Sequence, residues 1–299
     1  MHRRRKGKFF TFTITFFFVF LMPWKLGQQE WVEVELALQP EYQAGTALLI
    51  PFPPSDQGVQ SLQLQGRSLL RLDDKQTWFG VIGLYGGGQT LLHGRVDQGR
   101  PGFSTYFRRS LKVLVRPLGE ARRLNVPPEV WARVDDRHEE QKRLEREIMQ
   151  EVLRGDQWGP LMRGCWKRPV NSIMTSPFGS PRSLPDGRRY YHVGVDLRAR
   201  TGTPIYSPGP GVVAWAGHMI VPGNVVVLAH GDGLFSRYMH LSRIDVEMGQ
   251  KVSTGDQLGL AGATGRVTAP HLHWEVLWRE NHADPLQFLQ VWEQICHPK

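Results

Sequence analysis

From Cys165 onward, glycine or proline interrupts the sequence every few residues. Between the breaks lie short apolar runs: Gly211–Ala216, Asn224–Ala229, Leu234–Leu241, the neighbourhood of Val252, Gln257–Ala261 and His271–Leu277. Runs of this length fit strands joined by turns and are too short for the helices of a bundle. The whole chain shares the texture, with 32 Gly and 21 Pro in 299 residues. At 40% hydrophobic and 22% charged residues it can fill a core, so wholesale disorder is excluded. The length accommodates about two domains of ~100–150 residues.

The first half has the same grain. Val32, Val34, Leu36 and Leu38 alternate with period two, and strand-like runs follow at Ala47–Ile50, Val59–Leu64, Trp78–Leu84, Thr90–Val96 and Leu111–Val115. Turns such as Gly86-Gly87-Gly88 separate them, which predicts a small β-sandwich or barrel over residues 28–120. Its one histidine, His93, reads as an ordinary strand residue. Pro127 and Pro128 then open a charged segment, Glu129–Arg154, in which Trp131, Val134, Leu144, Ile148 and Val152 recur at helical spacing. The segment is expected to be a connecting helix within a linker, 121–160, lying across one domain. His138-Glu139 is followed by Lys at position 142, so it is not a zinc-protease helix. Residues 161–299 form the third unit. The expected fold is therefore mainly β: an N-terminal sandwich or barrel, a charged connecting helix and a C-terminal antiparallel β domain.

The N-terminus carries a different message. Arg3, Arg4, Arg5, Lys6 and Lys8 supply five of the charges behind the formal +9, and Phe9–Trp24 follows with no charge and seven of the fourteen Phe. A basic cluster before an apolar stretch of this length is a secretory signal or a short membrane anchor, assigned to residues 1–27. Without residues 1–24 the chain carries only +4. Most support for a nucleic-acid partner goes with them. The remainder is expected to lie outside the cytoplasm, where Cys165 and Cys296 can form a long-range disulfide or stay as two buried thiols. Two cysteines exclude a disulfide scaffold and any multi-cysteine metal cluster.

Eight of the eleven histidines fall after Cys165. In an extended His192-Val-Gly-Val-Asp196, residues four apart share a face, so an imidazole and a carboxylate can converge. His271-Leu-His273 places two imidazoles on one strand face, and Tyr238-Met-His240 ends another strand. The glycine-rich stretch Gly259–Gly265 can aim the following strand into a cleft. Two imidazoles and one carboxylate suit a zinc ion with a fourth position open to water, whose pKa the ion lowers to about 7. Remaining imidazoles can take up a proton and hydrogen-bond an oxyanion. His218, His230, His282 and His297 read as turn, loop or tail residues.

Order and context sharpen this reading. Phe178-Gly179, His192-Val-Gly-Val-Asp196-Leu, Gly202-Thr-Pro204, Gly211-Val-Val, Gly223-Asn224, His230-Gly, Tyr238-Met-His240-Leu-Ser242, Val252, Gly255-Asp-Gln, Gly262-Ala-Thr-Gly265 and Pro270-His-Leu-His273-Trp occur in that sequence. Together they resemble the lysostaphin-type (LytM-like) zinc metallo-endopeptidases, which cut peptide bonds of bacterial peptidoglycan. The resemblance covers about Val170–Leu289. It implies one zinc ion per chain held by His192, Asp196 and His273, with His240 and His271 as catalytic histidines. Some relatives carry a Tyr several residues before the first ligand; position 186 here is Asp, while Tyr190 and Tyr191 lie closer. The resemblance also implies a cell-envelope, periplasmic or extracytoplasmic location, with peptidoglycan as partner and the membrane as a second one if the N-terminal segment is retained. The layout of the first half is similar to the β-domain preceding the peptidase in envelope-anchored relatives, where it covers the cleft or positions the enzyme. The competing expectation is a non-catalytic relative that activates a wall amidase. Such relatives lose ligands or catalytic histidines, whereas all five positions are filled here. Among substrates, a D-Ala–diaminopimelate cross-link is expected over a glycine bridge, because no bridge-binding module is evident.

Overall fold

Alternation of apolar and polar residues turns into strands wherever one face can be buried, and it does so through both halves of this chain. A computed structural model describes residues 41–51, 59–72, 77–84, 88–97, 104–114, 120–132, 134, 136–154, 158–161 and 164–296. The basic and apolar N-terminal segment, the Val32–Leu38 run and His297 lie outside the described residues. No helix among the described residues is long and apolar enough to cross a membrane.

The first half forms two sheets. Glu41–Gln43, Ser104–Leu114, Gly88–Asp97, Val59–Leu64 and Arg67–Ser68 follow one another across the first, and Ala47–Pro51, Thr77–Val81 and Leu70–Arg71 make the second. Ile50, Leu62, Phe79, Leu92 and Phe107 are buried in a core that continues into the second half. His93 sits on the Gly88–Asp97 strand, as its context predicts.

The charged segment departs from the expected continuous helix. It is a short helix, Pro128–Trp131, a single 3-10 turn, Asp136–His138, and a longer helix, Glu139–Val152. Its packing phase also differs. Met149 and Leu153 are buried against Met219, Val225, Phe235 and Leu277 of the C-terminal sheet, while Leu144 and Ile148 are 46% and 41% exposed. The cause is an anchor on the other phase: both Glu145 carboxylate oxygens accept from the Ile220 backbone N–H at 2.9 Å.

The second half is an antiparallel sheet. In spatial order it runs Met174–Ser176, Val195–Arg198, His271–Trp278, Leu234–Ile244, Gly223–Gly231, Gly211–Met219 and Lys251–Val252. Gln257–Ala261 pairs with both Leu234–Ile244 and Pro204–Tyr206. A small sheet beside it pairs Pro181–Ser183 antiparallel with Arg189–Tyr191 and parallel with Arg122–Arg123, so the chain before the linker helix adds a strand next to the C-terminal domain. A terminal helix, Pro285–Cys296, closes the chain, and Cys296 is disulfide-bonded to Cys165 with their Cα atoms 5.1 Å apart.

Candidate active site

Register does much of the positioning. Asp196 lies directly opposite His273, and Arg198 opposite His271, on neighbouring antiparallel strands. Directly opposed residues project to the same face, so the Asp196 carboxylate meets both imidazoles of His271-Leu-His273 while Leu272 turns into the core. His192 reaches the same point by a route that a single extended strand does not describe. It precedes the Val195–Arg198 strand, and the chain bends through Gly194. A Cβ on Gly194 would lie 2.5 Å from the Trp274 carbonyl oxygen and 2.8 Å from His273 Nε2, so only glycine lets the bend close on the neighbouring strand.

The result is a tight cluster. His192 Nε2 lies 3.0 Å from Asp196 Oδ1 and 2.9 Å from His273 Nδ1, which is itself 2.8 Å from Asp196 Oδ1. One ligand atom from each residue falls within 4.8 Å of the others, and all three residues are buried. His271 Nε2 stands 3.5 Å from Asp196 Oδ1, and the His240 and His271 rings are 5.0 Å apart between centroids. All five residues line one cleft of about 520 Å³. Arg122, Leu124 and Val126, from before the linker helix, line it too.

His240 does not end its strand as expected; it sits inside Leu234–Ile244, where the pairing with Gly223–Gly231 shifts register between Tyr238 and Leu241. Its φ is +64°, a left-handed conformation that costs a non-glycine residue free energy and recurs at functional sites. Its backbone N–H bonds to Pro222 O and its Nδ1 to Thr264 O at 2.9 Å. The Gly259–Gly265 stretch makes this possible. Gly265, at φ +75°, packs so closely on the Val221–Gly223 turn that a Cβ there would lie 2.4 Å from Val221 O.

Tautomers follow from the acceptors. His192 Nδ1 faces Pro177 O at 2.9 Å, His273 Nε2 faces Glu275 Oε1 at 2.9 Å, and His271 Nδ1 faces Ala269 O at 2.8 Å. Carbonyl and carboxylate oxygens only accept, so these nitrogens, like His240 Nδ1, are the ones that carry protons. In the neutral rings the opposite nitrogens hold lone pairs. Those of His192 and His273, with Asp196 Oδ1, point at one another and repel unless a cation lies among them. Two imidazole nitrogens and one carboxylate oxygen, each oriented by a further hydrogen bond, are a donor set suited to a divalent transition metal.

The electrostatics agree. Burial alone would raise the Asp196 carboxyl, but the His192, His271 and His273 rings that face it hold it well below the usual range. Burial lowers His192 and pushes His240 down to about 3, so both rings are neutral at pH 7. His273 is raised to about 9: desolvation acts against its charge, and Asp196 and Glu275 outweigh it. Metal binding at this cluster therefore competes with a proton on His273.

Three supporting residues were not singled out from the sequence. Arg182 donates to the second Asp196 oxygen at 2.6 Å and to Ser176 Oγ at 2.8 Å, leaving Oδ1 free to ligate. Glu275 holds His273 and is flanked by Arg237 Nε at 3.3 Å and His282 Nε2 at 3.5 Å. His282 thus lies against the site's carboxylate support and not in a free loop. His230, expected in a turn, is fully buried at the end of Gly223–Gly231, between Pro210 O and Ser236 Oγ. Period-two spacing from His273 could have found Glu275. Nothing in the local spacing marks Arg182 or Arg237.

Residues 190–285 match the profile of peptidase family M23. The peptidoglycan DD-endopeptidase ShyA of Vibrio cholerae is 44% identical over 122 residues, 40% of this chain and 28% of that protein. ShyC of the same organism is 38% identical over 133 residues, 44% of this chain and 31% of that one. The chain spans less than a third of the length of these curated relatives. Among solved structures, a Pseudomonas aeruginosa chain assigned to the M23 peptidases superposes with a TM-score of 0.58 at 27% identity, over 82% of this chain and 93% of that one. The catalytic domain of lysostaphin from Staphylococcus simulans is 33% identical over 40% of this chain and 93% of its own length, with a TM-score of 0.37. Through residues 190–285 the chain belongs to peptidase family M23.

Proposed function

We propose that this protein is a zinc-dependent endopeptidase that hydrolyses peptide cross-links or stem peptides of bacterial peptidoglycan. The observation that carries the reading is the cluster of His192 Nε2, Asp196 Oδ1 and His273 Nδ1 within 4.8 Å at the floor of a cleft. His192, Asp196 and His273 would hold the ion, one per chain. When bound, zinc contributes Lewis-acid polarisation of a carbonyl and lowers the pKa of water to about 7.

The protein's own groups do the rest. His271, whose Nδ1–H bonds Ala269 O so that the neutral ring presents its lone pair on Nε2, takes up the proton released as water attacks and returns it to the leaving amine. His240, held neutral with its Nδ1 proton on Thr264 O, keeps a lone pair on Nε2 beside the His271 ring and assists His271 in handling the proton. Arg182 keeps Asp196 oriented through its second oxygen. Residues 28–120 and 121–160 would act as a β-domain and linker that place the 161–299 peptidase at the wall, with residues 1–27 as signal or anchor. The location would be the cell envelope, periplasmic or extracytoplasmic. The amidase-activating alternative is disfavoured because both histidines and all three ligand positions are present in the cleft.

Metal analysis combined with wall digestion tests this. Purified protein should contain about one zinc per chain; His273→Ala should lose it, and His271→Ala should keep it while losing turnover. Mass spectrometry of the digested wall then identifies the bond cut. A metal-replete protein that releases no peptide fragments from purified wall sinks the hydrolase reading.

A further inference from the structure

Charge in the cleft is unbalanced. Five arginines line it: Arg122, Arg182, Arg198, Arg237 and Arg266. Two are matched, Arg182 by Asp196 at 2.6 Å and Arg237 by Glu275 at 3.3 Å. Arg122 and Arg198 are exposed to water, which meets their needs. Arg266 is different, because it is half-buried and no carboxylate among the described residues forms an ion pair with it.

Its place is fixed. The Arg266 backbone N–H bonds Val221 O at 2.9 Å, just after the glycine turn that also orients His240. The guanidinium carbon lies 6.0 Å from the centroid of the Tyr190 ring, and Tyr190 lines the same cleft beside His192. Burial lowers the pKa of this guanidinium; Arg188 and Arg182 repel it as well, against which only the Tyr190 hydroxyl acts favourably. Asp186 feels the Arg266 charge but is bound to Arg188 at 2.6 Å. A cation withdrawn from water among like charges is destabilising until an anion joins it. The fork of a guanidinium fits a carboxylate, and a phenol can add a further donor.

We propose that Arg266 and Tyr190 form a subsite for a free carboxylate of the peptide substrate. The inference rests on the hydrolase reading and narrows it. The preferred substrate carries a carboxylate next to the cross-link, and an uncharged glycine run lacks the group this subsite binds.

Two cross-linked muropeptide dimers separate the possibilities, one with the free carboxylate beside the cross-link and one with that carboxylate converted to its amide. The full chain should cleave the carboxylate form with a kcat/KM about tenfold higher, the size expected of one charge-assisted contact. Arg266→Gln should remove the preference through KM, with metal per chain unchanged, and Arg266→Lys should restore part of it. Calorimetry on the metal-free full chain gives a second readout, in which the carboxylate dimer should lose its binding advantage in Arg266→Gln. Equal cleavage of both dimers by the wild type leaves the hydrolase reading standing and overturns the subsite. Tight binding of the carboxylate dimer with cleavage of neither does the reverse. A preference that survives Arg266→Gln also overturns the subsite.

Discussion

Glu275 is a carboxylate with almost no contact with water, 2% exposed, and its pKa is driven well below the ordinary value. Burial alone would push it the other way. The charge survives because Arg237, His273 and His282 all face it. It accepts from His273 Nε2–H, so that in the neutral ring the lone pair stands on Nδ1, toward Asp196. The residue therefore acts on a metal only through the ring it holds. Glu275→Gln keeps the shape and removes the charge, so metal retention should weaken by about 10–100-fold with the fold intact. Competition with a chelator of known affinity measures this, and an unchanged apparent Kd would show that His273 needs no such support. The five residues named from the sequence do share one cleft; strand periodicity made the shared face of His271 and His273 legible, whereas His192 arrives through the Gly194 bend and joined the set through the family resemblance. Arg182 and Arg266 were not marked by the sequence for the converse reason. Each reaches the cleft from a turn or a short strand whose path depends on which segment it packs against.

At the scale of elements, several strands were legible to their ends, and Val59–Leu64 and Gln257–Ala261 have the boundaries their alternation predicts. Ser104–Leu114, by contrast, was expected only from Leu111 onward, because its first part, rich in Arg and Ser, shows no apolar run. The helices were not legible to their ends. The linker helix has two candidate apolar phases, and periodicity cannot choose between them; the Glu145–Ile220 anchor does. The terminal helix Pro285–Cys296 went unread although it has a strong start signal, Asp284 followed by Pro285. Asp284 Oδ1 accepts from the Leu286 N–H at 3.0 Å and the Gln287 N–H at 3.4 Å. That cap matters beyond its own helix. Gln287 in the first turn bonds both the N–H and the C=O of Ala47, and so ties the helix to a strand of the first half. Asp284→Ala should cost about 1 kcal/mol, the usual loss for an N-cap. In a chain of this size that lowers Tm by roughly 2–4 °C, readable by calorimetry at pH 7. Asp284→Asn, which keeps an acceptor, should recover most of it; equal losses in the two variants would mean the cap is idle.

Across the whole molecule the two halves share one core. Phe79 of the first half packs edge-on against Trp278, Phe288 and Trp292 of the second, at 5.5, 6.1 and 5.8 Å between centroids. The Cys165–Cys296 disulfide closes a loop across 131 positions, a constraint on the unfolded chain worth about 2–5 kcal/mol. With the halves joined in this way, a local change in the C-terminal sheet should register in the unfolding of the whole. His230 offers the cleanest case, since it touches no residue assigned to metal or catalysis. Its Nδ1–H donates to Pro210 O at 2.6 Å, and its Nε2 accepts from Ser236 Oγ, which accepts in turn from Tyr238 OH. A second ring proton would face an oxygen whose own hydrogen already points at it. Burial accordingly lowers the pKa from 6.5 to about 4. Between those values the unfolded chain binds a proton that the folded chain refuses, so stability rises with pH across that window. Above pH 6.5 the ring is neutral in both states and costs nothing; as the pH falls a penalty builds, and the stability lost reaches about 3 kcal/mol by pH 4. His240, also lowered by burial, acts in the same direction, whereas Asp196 and Glu275 lose their contributions at lower pH. A difference measurement isolates His230. Between pH 7 and pH 4.5 the Tm of the wild type should fall further than that of His230→Gln, and the ring resonances of His230 should not titrate until near pH 4. Parallel Tm curves, together with an imidazole that titrates near 6.5, would place His230 in water and dissolve the proton-free network drawn around it.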